Sequence, residues 1–432
     1  MTVTYHPVLK VAPAVETPAR LVAGTPARLV LPGVESTDWG LAQERELGYF
    51  GIPVEAEELL AELEKSGLRG RGGAGFPVHR KWQTLAEAEG PTVVVANGHE
   101  GEPASSKDVW LMTRRPFLVL DGLILAAQVA GAEEAYVYLS DAEAARTMES
   151  AIAELEREGL VTQGLKIRVH LGENRYVGGE ESAVCQALNG FPAKPTDKPP
   201  RPFESGVHGK PTLINNVESL AHVAWIRLNG GTAFASVGSE TSKGTALFTL
   251  TGEVAEPGVY EMSLGRPLGD LIQASGGNLE QSPGILVGGW FSGILAGDQS
   301  ALSCCYESIR KAGSGLGCAA VSVLGPEDDL LATGEALASW FAVESAGQCG
   351  ICVSGTNAIA RSFRQLLRGE NTQNHVDRLR EWGAISGGRA ACAFVDGAFT
   401  LARTVSLELE ISGRAVPRTS PRTRLSAGKE QK

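Results

Sequence analysis

Five glycines fall within nine residues of the stretch Gly67-Leu68-Arg69-Gly70-Arg71-Gly72-Gly73-Ala74-Gly75-Phe76-Pro77. A helix or strand interior is not built this way, because each glycine loses more backbone freedom on ordering than any other residue and packs nothing. Glycine instead permits positive φ and lets a ligand approach the main chain with no Cβ in the way. Successive exposed N–H groups then form a concave anion site, to which Arg69, Arg71 and Lys81 add positive charge. The stretch reads as a loop wrapped around a phosphate-bearing cofactor, with a flexible surface turn as the plainer alternative. It is neither the dinucleotide-binding fingerprint nor a P-loop.

The rest of the chain narrows the class. Its 432 residues allow two to four domains. A net charge of −11 argues against nucleic acid, whose phosphates must be met by a basic surface. The longest apolar stretch, 116–132, is interrupted by Asp121 and Gln128 and reads as a buried helix, not a transmembrane span. The first residues lack the basic start and apolar block of a secretory signal. Seven cysteines without dense spacing suggest a reducing cytoplasm, not a disulfide framework.

Residues 1–45 are rich in Pro, Ala and Val with no sustained period, and are expected to form an N-terminal extension on the surface or partly disordered. Residues 54–66 predict a helix capped by Gly67. Strands are expected at 92–97, 135–139 and 166–171, separated by an apolar helix around 117–130. A second helix, reaching about residue 158, starts on a Ser140/Glu143 capping box. That alternation predicts an α/β fold with a parallel sheet covered on both faces, and ligands at the carboxyl ends of its strands. The Pro- and Lys-rich segment 193–211 is expected to line a site in extended form. From residue 244 the texture becomes a compact α+β module, with a turn at Glu256-Pro257-Gly258. From residue 326 amphipathic segments predict a bundle of about four helices. Residues 413–432 are expected to be a disordered basic tail.

Three further loops carry convergent polar groups: Asn97-Gly98-His99-Glu100-Gly101-Glu102-Pro103, Tyr176-Val177-Gly178-Gly179-Glu180-Glu181-Ser182, and the paired amides Asn215 and Asn216. Amides and carboxylates suit the donors and acceptors of an isoalloxazine edge, a ribityl chain and a ribose. Taken with GKPTLINNVESL at 209–220, GEVAEPGVYE at 252–261 and ESAGQCGIC near the end, residues 50–410 resemble a known family. It is the flavin-bearing, NADH-oxidising subunit of respiratory complex I, with relatives in NAD-linked hydrogenases and formate dehydrogenases. The resemblance implies a Rossmann-like FMN domain over 46–243 and a ubiquitin-like (β-grasp, SLBB) module over 244–325. An iron–sulfur-type helical bundle over 326–412 would follow. By position it implies that Gly70, Arg71, Gly72, Gly73, Lys81, Asn97, Glu100, Gly179, Glu180, Asn215 and Asn216 hold FMN. Phe76, Glu102, Glu181 and Lys198 would face NADH, and Cys349, Cys352 and Cys392 would ligate the cluster. Hydride would pass from nicotinamide to flavin, then single electrons to an iron–sulfur protein or subunit of a hetero-oligomer, cytoplasmic or peripheral to a membrane complex.

The chain departs from the family pattern at four positions. Thr84 and Arg201 stand where aromatic rings sandwich adenine, a loss on the order of 0.5–1.5 kcal/mol of stacking each. Arg201 offers instead to meet a 2′-phosphate, which makes NADPH the alternative nucleotide. His99 replaces an aspartate beside the flavin. Ala346 occupies the first position of a C-x2-C-x2-C repeat, leaving three thiolates for a three-iron cluster, for a four-iron cluster with Ser345, Gln348 or a non-protein ligand, for zinc, or for a vestigial site. Cys185, Cys304, Cys305 and Cys318 read as core residues. Alternative readings are a flavin electron-transfer module fed by a ferredoxin and a non-catalytic interaction subunit.

Overall fold

The structure is a computed structural model that describes residues 9, 11–12, 18–36, 39–51 and 55–411. A short strand β1 (Arg20–Leu21) and helix α1 (Leu41–Glu46) precede α2 (Ala56–Ser66), which buries Leu59 and Leu63. Gly67 ends α2 in the left-handed region at φ 60°, where a side chain would be strained. The Gly-rich loop follows, and α3 (Val78–Ala86) opens straight after Pro77. Then come β2 (Val93–Gly98), α4 (Lys107–Arg114), α5 (Pro116–Ala130), β3 (Glu134–Leu139), α6 (Ala142–Arg157) and β4 (Lys166–Leu171). Helix α7 (Glu181–Leu188), β5 (Thr212–Asn216) and α8 (Val217–Asn229) complete the layer.

The four strands pair in parallel in the order β4-β3-β2-β5. Alternation along β2 sends Val94 and Ala96 into the core shared with α5, α6 and α8, and Val93 and Val95 against Val184 and Cys185 of α7. Helices therefore cover both faces, as the sequence predicts. Every residue of α5 except Gln128 is buried, which makes it the central helix of this layer. Helix α6 starts on Asp141, whose carboxylate accepts from the Glu143 and Ala144 amides, so the cap lies one residue beyond the predicted Ser140 box.

After α9 (Gly231–Ala235), the second layer comprises β6 (Thr245–Gly252), β7 (Gly258–Ser263), α10 (Leu268–Ala274), β8 (Gly284–Val287), β9 (Leu295–Ala296), α11 (Tyr306–Lys311) and β10 (Ala320–Val323). Its sheet runs β1-β7-β6-β10-β8-β9. The partner of β7 at its edge is β1, so at Arg20–Leu21 the expected N-terminal extension is a strand of the second sheet. The buried Glu261 side chain accepts from the amides of Arg28, Leu29 and Val30 at 3.2, 2.9 and 2.9 Å. Arg28 lies between Trp225 and Phe234, 4.4 and 4.6 Å from their ring centres. This order rests on single polar anchors and aromatic faces, which leave no periodic trace in a sequence.

Four helices follow among the described residues: α12 (Leu330–Glu344), α13 (Gly350–Leu367), α14 (Thr372–Gly383) and α15 (Phe394–Ile411). Leu337, Phe341, Ile359, Phe363, Leu379 and Phe399 form their core, and Leu286, Trp290 and Ile294 of the second layer join it. The predicted basic tail at 413–432 lies outside the described residues.

Candidate functional site

The sheet register sets the site. Asn97 at the end of β2 stands opposite Asn216 of β5 on one side and Tyr138 of β3 on the other. Over that edge the Gly-rich loop passes so closely that a Cβ on Gly72 would lie 3.2 Å from the Asn216 Cβ. From the other side comes the turn Tyr176–Gly179, where a Cβ on Gly179 would lie 3.1 Å from the His99 ring. The Asn97 amide donates to the Gly179 carbonyl at 2.9 Å. Loops 67–77, 99–106 and 172–180 thus meet the end of β5 and the start of α8 at the carboxyl ends of the parallel strands, where such sheets bind ligands; the paired amides Asn215 and Asn216 are the last residues of a strand, not part of a loop.

The Gly-rich loop is a rigid cradle. The Gly70 amide donates to the Phe76 carbonyl at 2.8 Å, and Arg69 Nε to the Gly75 carbonyl at 2.7 Å. Gly75, at φ 61°, lies against the Tyr306 ring, and the Tyr306 hydroxyl donates to the Gly70 carbonyl at 2.8 Å. Arg69 covers that ring at 4.1 Å and pairs with Glu307 at 2.5 Å. The amides of Gly72, Gly73 and Ala74 make no backbone hydrogen bond among the described residues, which leaves their N–H groups available to a ligand. The Arg71 guanidinium is not available in this way: it is buried and donates to the Lys243 and Thr245 carbonyls at 3.1 and 2.9 Å.

Around the cradle, Lys81 donates to the Ile214 carbonyl at 2.8 Å and lies 3.6 Å from Glu181. The Asn215 side-chain oxygen accepts from Trp82 at 3.1 Å. Glu180 caps α7 through the Ser182 amide at 2.9 Å and also receives Lys198, which lies 3.7 Å from Glu181. These two lysines and two glutamates form a half-buried rim. Phe76 is 52% exposed, and both Thr84 and Arg201 lie on the exposed surface.

Below the rim the site is built on buried charge that the sequence reading did not separate into roles. Glu100 caps α4, accepting from Ser105, Asp108 and Val109, and burial pushes its carboxyl up to about 7. Glu102 accepts from the Ala104 and Trp290 amides through one oxygen; the other has no hydrogen-bond partner among the described residues, and burial raises this carboxyl to about 7 as well. Lys107, fully buried, pairs with Asp108 at 2.7 Å and Glu218 at 2.8 Å, while Asp108 accepts from the Asn216 amide at 2.6 Å. Burial would raise Glu218, but Lys107, His222 and Arg71 hold it down to about 2. His99 stacks on Tyr138 at 5.6 Å and donates from Nε2 to the Glu173 carbonyl at 2.9 Å. Burial lowers its pKa, so the ring is neutral at neutral pH, with Nδ1 unpartnered among the described residues. The adjacent opposite charges Lys107 and Asp108, which open α4, were a sequence signal for this foundation.

The turn Tyr176–Gly179 has a second face. Val177 helps to line a small hollow with Pro195, Ala346, Cys349, Cys352 and Cys392. Tyr176 stacks on Phe291 at 6.0 Å and meets Trp340 edge-on at 5.2 Å. Cys349 and Cys352 stand at the start of α13 and Cys392 just before α15, where helix N-termini favour negative charge. The Ala391 amide donates to the Cys349 sulfur at 3.4 Å. No three His, Cys, Asp or Glu side chains among the described residues form a group that would hold a single metal ion. Cys185, Cys304 and Cys305 are buried in the layers, and Cys318 is half-buried.

Residues 63–225 match the Nuo51 FMN-binding domain, 247–284 the SLBB domain, and 333–407 the NADH-ubiquinone oxidoreductase-F iron–sulfur binding region. The F 2 subunit of NADH-quinone oxidoreductase from Rhizobium meliloti (strain 1021) is 34% identical over 355 residues, covering 79% of this chain and 84% of that protein. The F subunit from Streptomyces coelicolor (strain ATCC BAA-471 / A3(2) / M145) is 32% identical over 433 residues, covering 92% and 95%. The chain belongs to the family of NADH-quinone oxidoreductase F subunits. Among solved structures, an NAD+-reducing [NiFe]-hydrogenase in the H2-reduced state superposes with a TM-score of 0.80 at 30% identity, covering 92% of this chain and 68% of that one. Members of the family are NADH dehydrogenase flavoproteins, so FMN, NADH and an iron–sulfur cluster are the groups this architecture serves. FMN fits the residues present: a glycine loop with amides free of backbone hydrogen bonds, beside Asn216 and the Gly179 turn, which packs on His99 with its unpartnered Nδ1. Three corners of the cysteine hollow fit a cluster. No helix among the described residues is long and apolar enough to cross a membrane.

Proposed function

We propose that FMN lies between the Gly-rich loop and the ends of β2 and β5, its phosphate toward the amides of Gly72, Gly73 and Ala74. NADH enters from the rim of Phe76, Glu181 and Lys198. The single observation that carries this reading is the convergence of three loops and the end of β5 on bare main chain, where a Cβ on Gly72 would lie 3.2 Å from the Asn216 Cβ. When bound, FMN takes up a hydride and releases electrons one at a time, chemistry that belongs to the cofactor. The protein binds and orients. Gly70, Gly72 and Gly73 keep Cβ atoms out of the cofactor's way, Lys81 supplies positive charge, and Asn97, Asn215 and Asn216 supply amides. Gly179 and Glu180 close the opposite side. Arg71 and Glu100 act from behind: Arg71 fixes the loop to the second layer, and Glu100 fixes α4 beneath it. Glu102 holds a proton near neutrality. The turn Tyr176–Gly179 touches both the flavin site and the cysteine hollow, which supports electron exit through the bundle to an iron–sulfur partner subunit. As a relative of subunits of such assemblies, the chain would sit in the cytoplasm as a peripheral arm.

The test is the visible spectrum of the anaerobic protein. NADH bleaches the bound flavin, and NADPH does so at least about tenfold less efficiently. The exposed positions of Thr84 and Arg201 favour one second reading, a flavin module fed by a reduced ferredoxin with a degenerate nucleotide site. Flavin that only the ferredoxin bleaches establishes that reading instead, and a colourless protein removes both.

A further inference from the structure

Ala346, Cys349 and Cys352 recur at intervals of three residues, and all of them face the same hollow as Cys392. The Ala346 methyl therefore stands at the place in the ring of side chains where a further thiolate would complete a four-sulfur set. Neither neighbour weighed as a substitute takes over. Ser345 is not part of the hollow's lining, and its hydroxyl accepts from the Gly347 amide at 3.3 Å. Gln348 lines the hollow from an exposed position, and a neutral carboxamide is a poor partner for iron beside three thiolates. Val177, which lines the hollow, belongs to the turn whose Gly178 and Gly179 lie against His99.

We infer that this chain holds a site-differentiated iron–sulfur cubane: Cys349, Cys352 and Cys392 bind three irons, and the fourth iron, facing Ala346, carries a small exchangeable ligand such as hydroxide or a low-molecular-weight thiolate. An iron without a protein thiolate is released when the cluster is oxidised. The cluster gives one electron to ferricyanide and one ferrous ion to solution, leaving a three-iron core on the three cysteines. Added ferrous iron with a reductant reverses the step. The inference rests on the family reading of residues 333–407 but not on the flavin site, whose occupancy is read separately by its absorbance.

The experiment uses the full chain, reconstituted anaerobically with iron and sulfide, with iron per chain and electron paramagnetic resonance as readouts. The expected result is that brief ferricyanide treatment removes about one iron in four from the wild type and brings up the signal of an oxidised three-iron cluster. The same treatment leaves Ala346→Cys with its iron intact and without that signal. Cys352→Ser, in the first turn of α13, is expected to lose the cluster outright while keeping flavin. A wild type that resists oxidation as well as Ala346→Cys overturns the inference, because the fourth iron would then have a protein ligand. So does a wild type that binds no iron where Ala346→Cys does. Flavin bleaching by NADH in the same samples shows whether the nucleotide site is intact whatever the iron analysis gives.

Discussion

Glu102 shows how one side chain reports on its surroundings. It is buried, accepts from the Ala104 and Trp290 amides at 3.1 Å each, and leaves its second oxygen without a hydrogen-bond partner among the described residues. Burial raises its carboxyl to about 7, so the protonated form is favoured in the folded protein. A carboxyl raised in this way contributes fully to stability below its unfolded value and loses that contribution as pH rises through about 7. Glu102→Gln keeps a neutral acceptor for both amides. Its stability advantage over wild type should be near zero at about pH 4 and grow to on the order of 2 kcal/mol by about pH 8. Urea unfolding at the two pH values measures it, and an advantage that does not change with pH would show that the carboxyl is ionised throughout. Glu100, raised to about 7 by burial, is present in both proteins and cancels from the comparison.

At the scale of elements, the Gly-rich loop depends on a helix from the other layer. Tyr306 opens α11, packs its ring under Gly75 and bonds the Gly70 carbonyl, while its neighbour Glu307 holds Arg69. The cradle is therefore shaped by residues more than two hundred positions away. Tyr306→Phe keeps the ring and removes the hydrogen bond, a loss of about 1 kcal/mol. Much of that falls on the loop, so FMN should dissociate a few-fold faster, about fivefold if the whole loss falls on the bound state. Recovery of free-flavin fluorescence after dilution follows this, and an unchanged rate would mean that the loop holds its shape without α11.

Across the whole molecule, the N-terminal region ties the layers together. Arg115 at the junction of α4 and α5 pairs with Glu44 of α1 at 2.5 Å, and both side chains are fully buried. The same guanidinium donates to the Arg28 carbonyl at 3.0 Å, and Glu261 in the second sheet holds the Arg28, Leu29 and Val30 amides. Removing one partner of such a pair strands the other. Arg115→Met should lower the free energy of unfolding by about 3–5 kcal/mol, and Arg115→Met with Glu44→Leu should recover much of it. Thermal unfolding of both variants checks this; a single variant as stable as wild type would mean that the N-terminal region is not part of the cooperative unit.

What the chain order determines by itself is local. The glycines of 67–75, the β-branched strand at 92–97, the apolar helix that became α5 and the amphipathic segments of the bundle are each legible because their physics repeats within a few residues. The segments bearing Asn97, Glu180, Asn215 and Asn216 were legible as candidates, since strand ends in a parallel sheet have one place to go. Only the tertiary structure decided which polar groups face the cradle and which lie behind it. Arg71 and Glu100 turned to structural duty, and His99 took a neutral stacked position against Tyr138. Residues 28–30 and Glu44 were drawn into the interior by one buried glutamate and one buried ion pair. Such anchors join residues far apart in sequence, and the cost of burying a charge is settled only by what surrounds it, which no local pattern encodes.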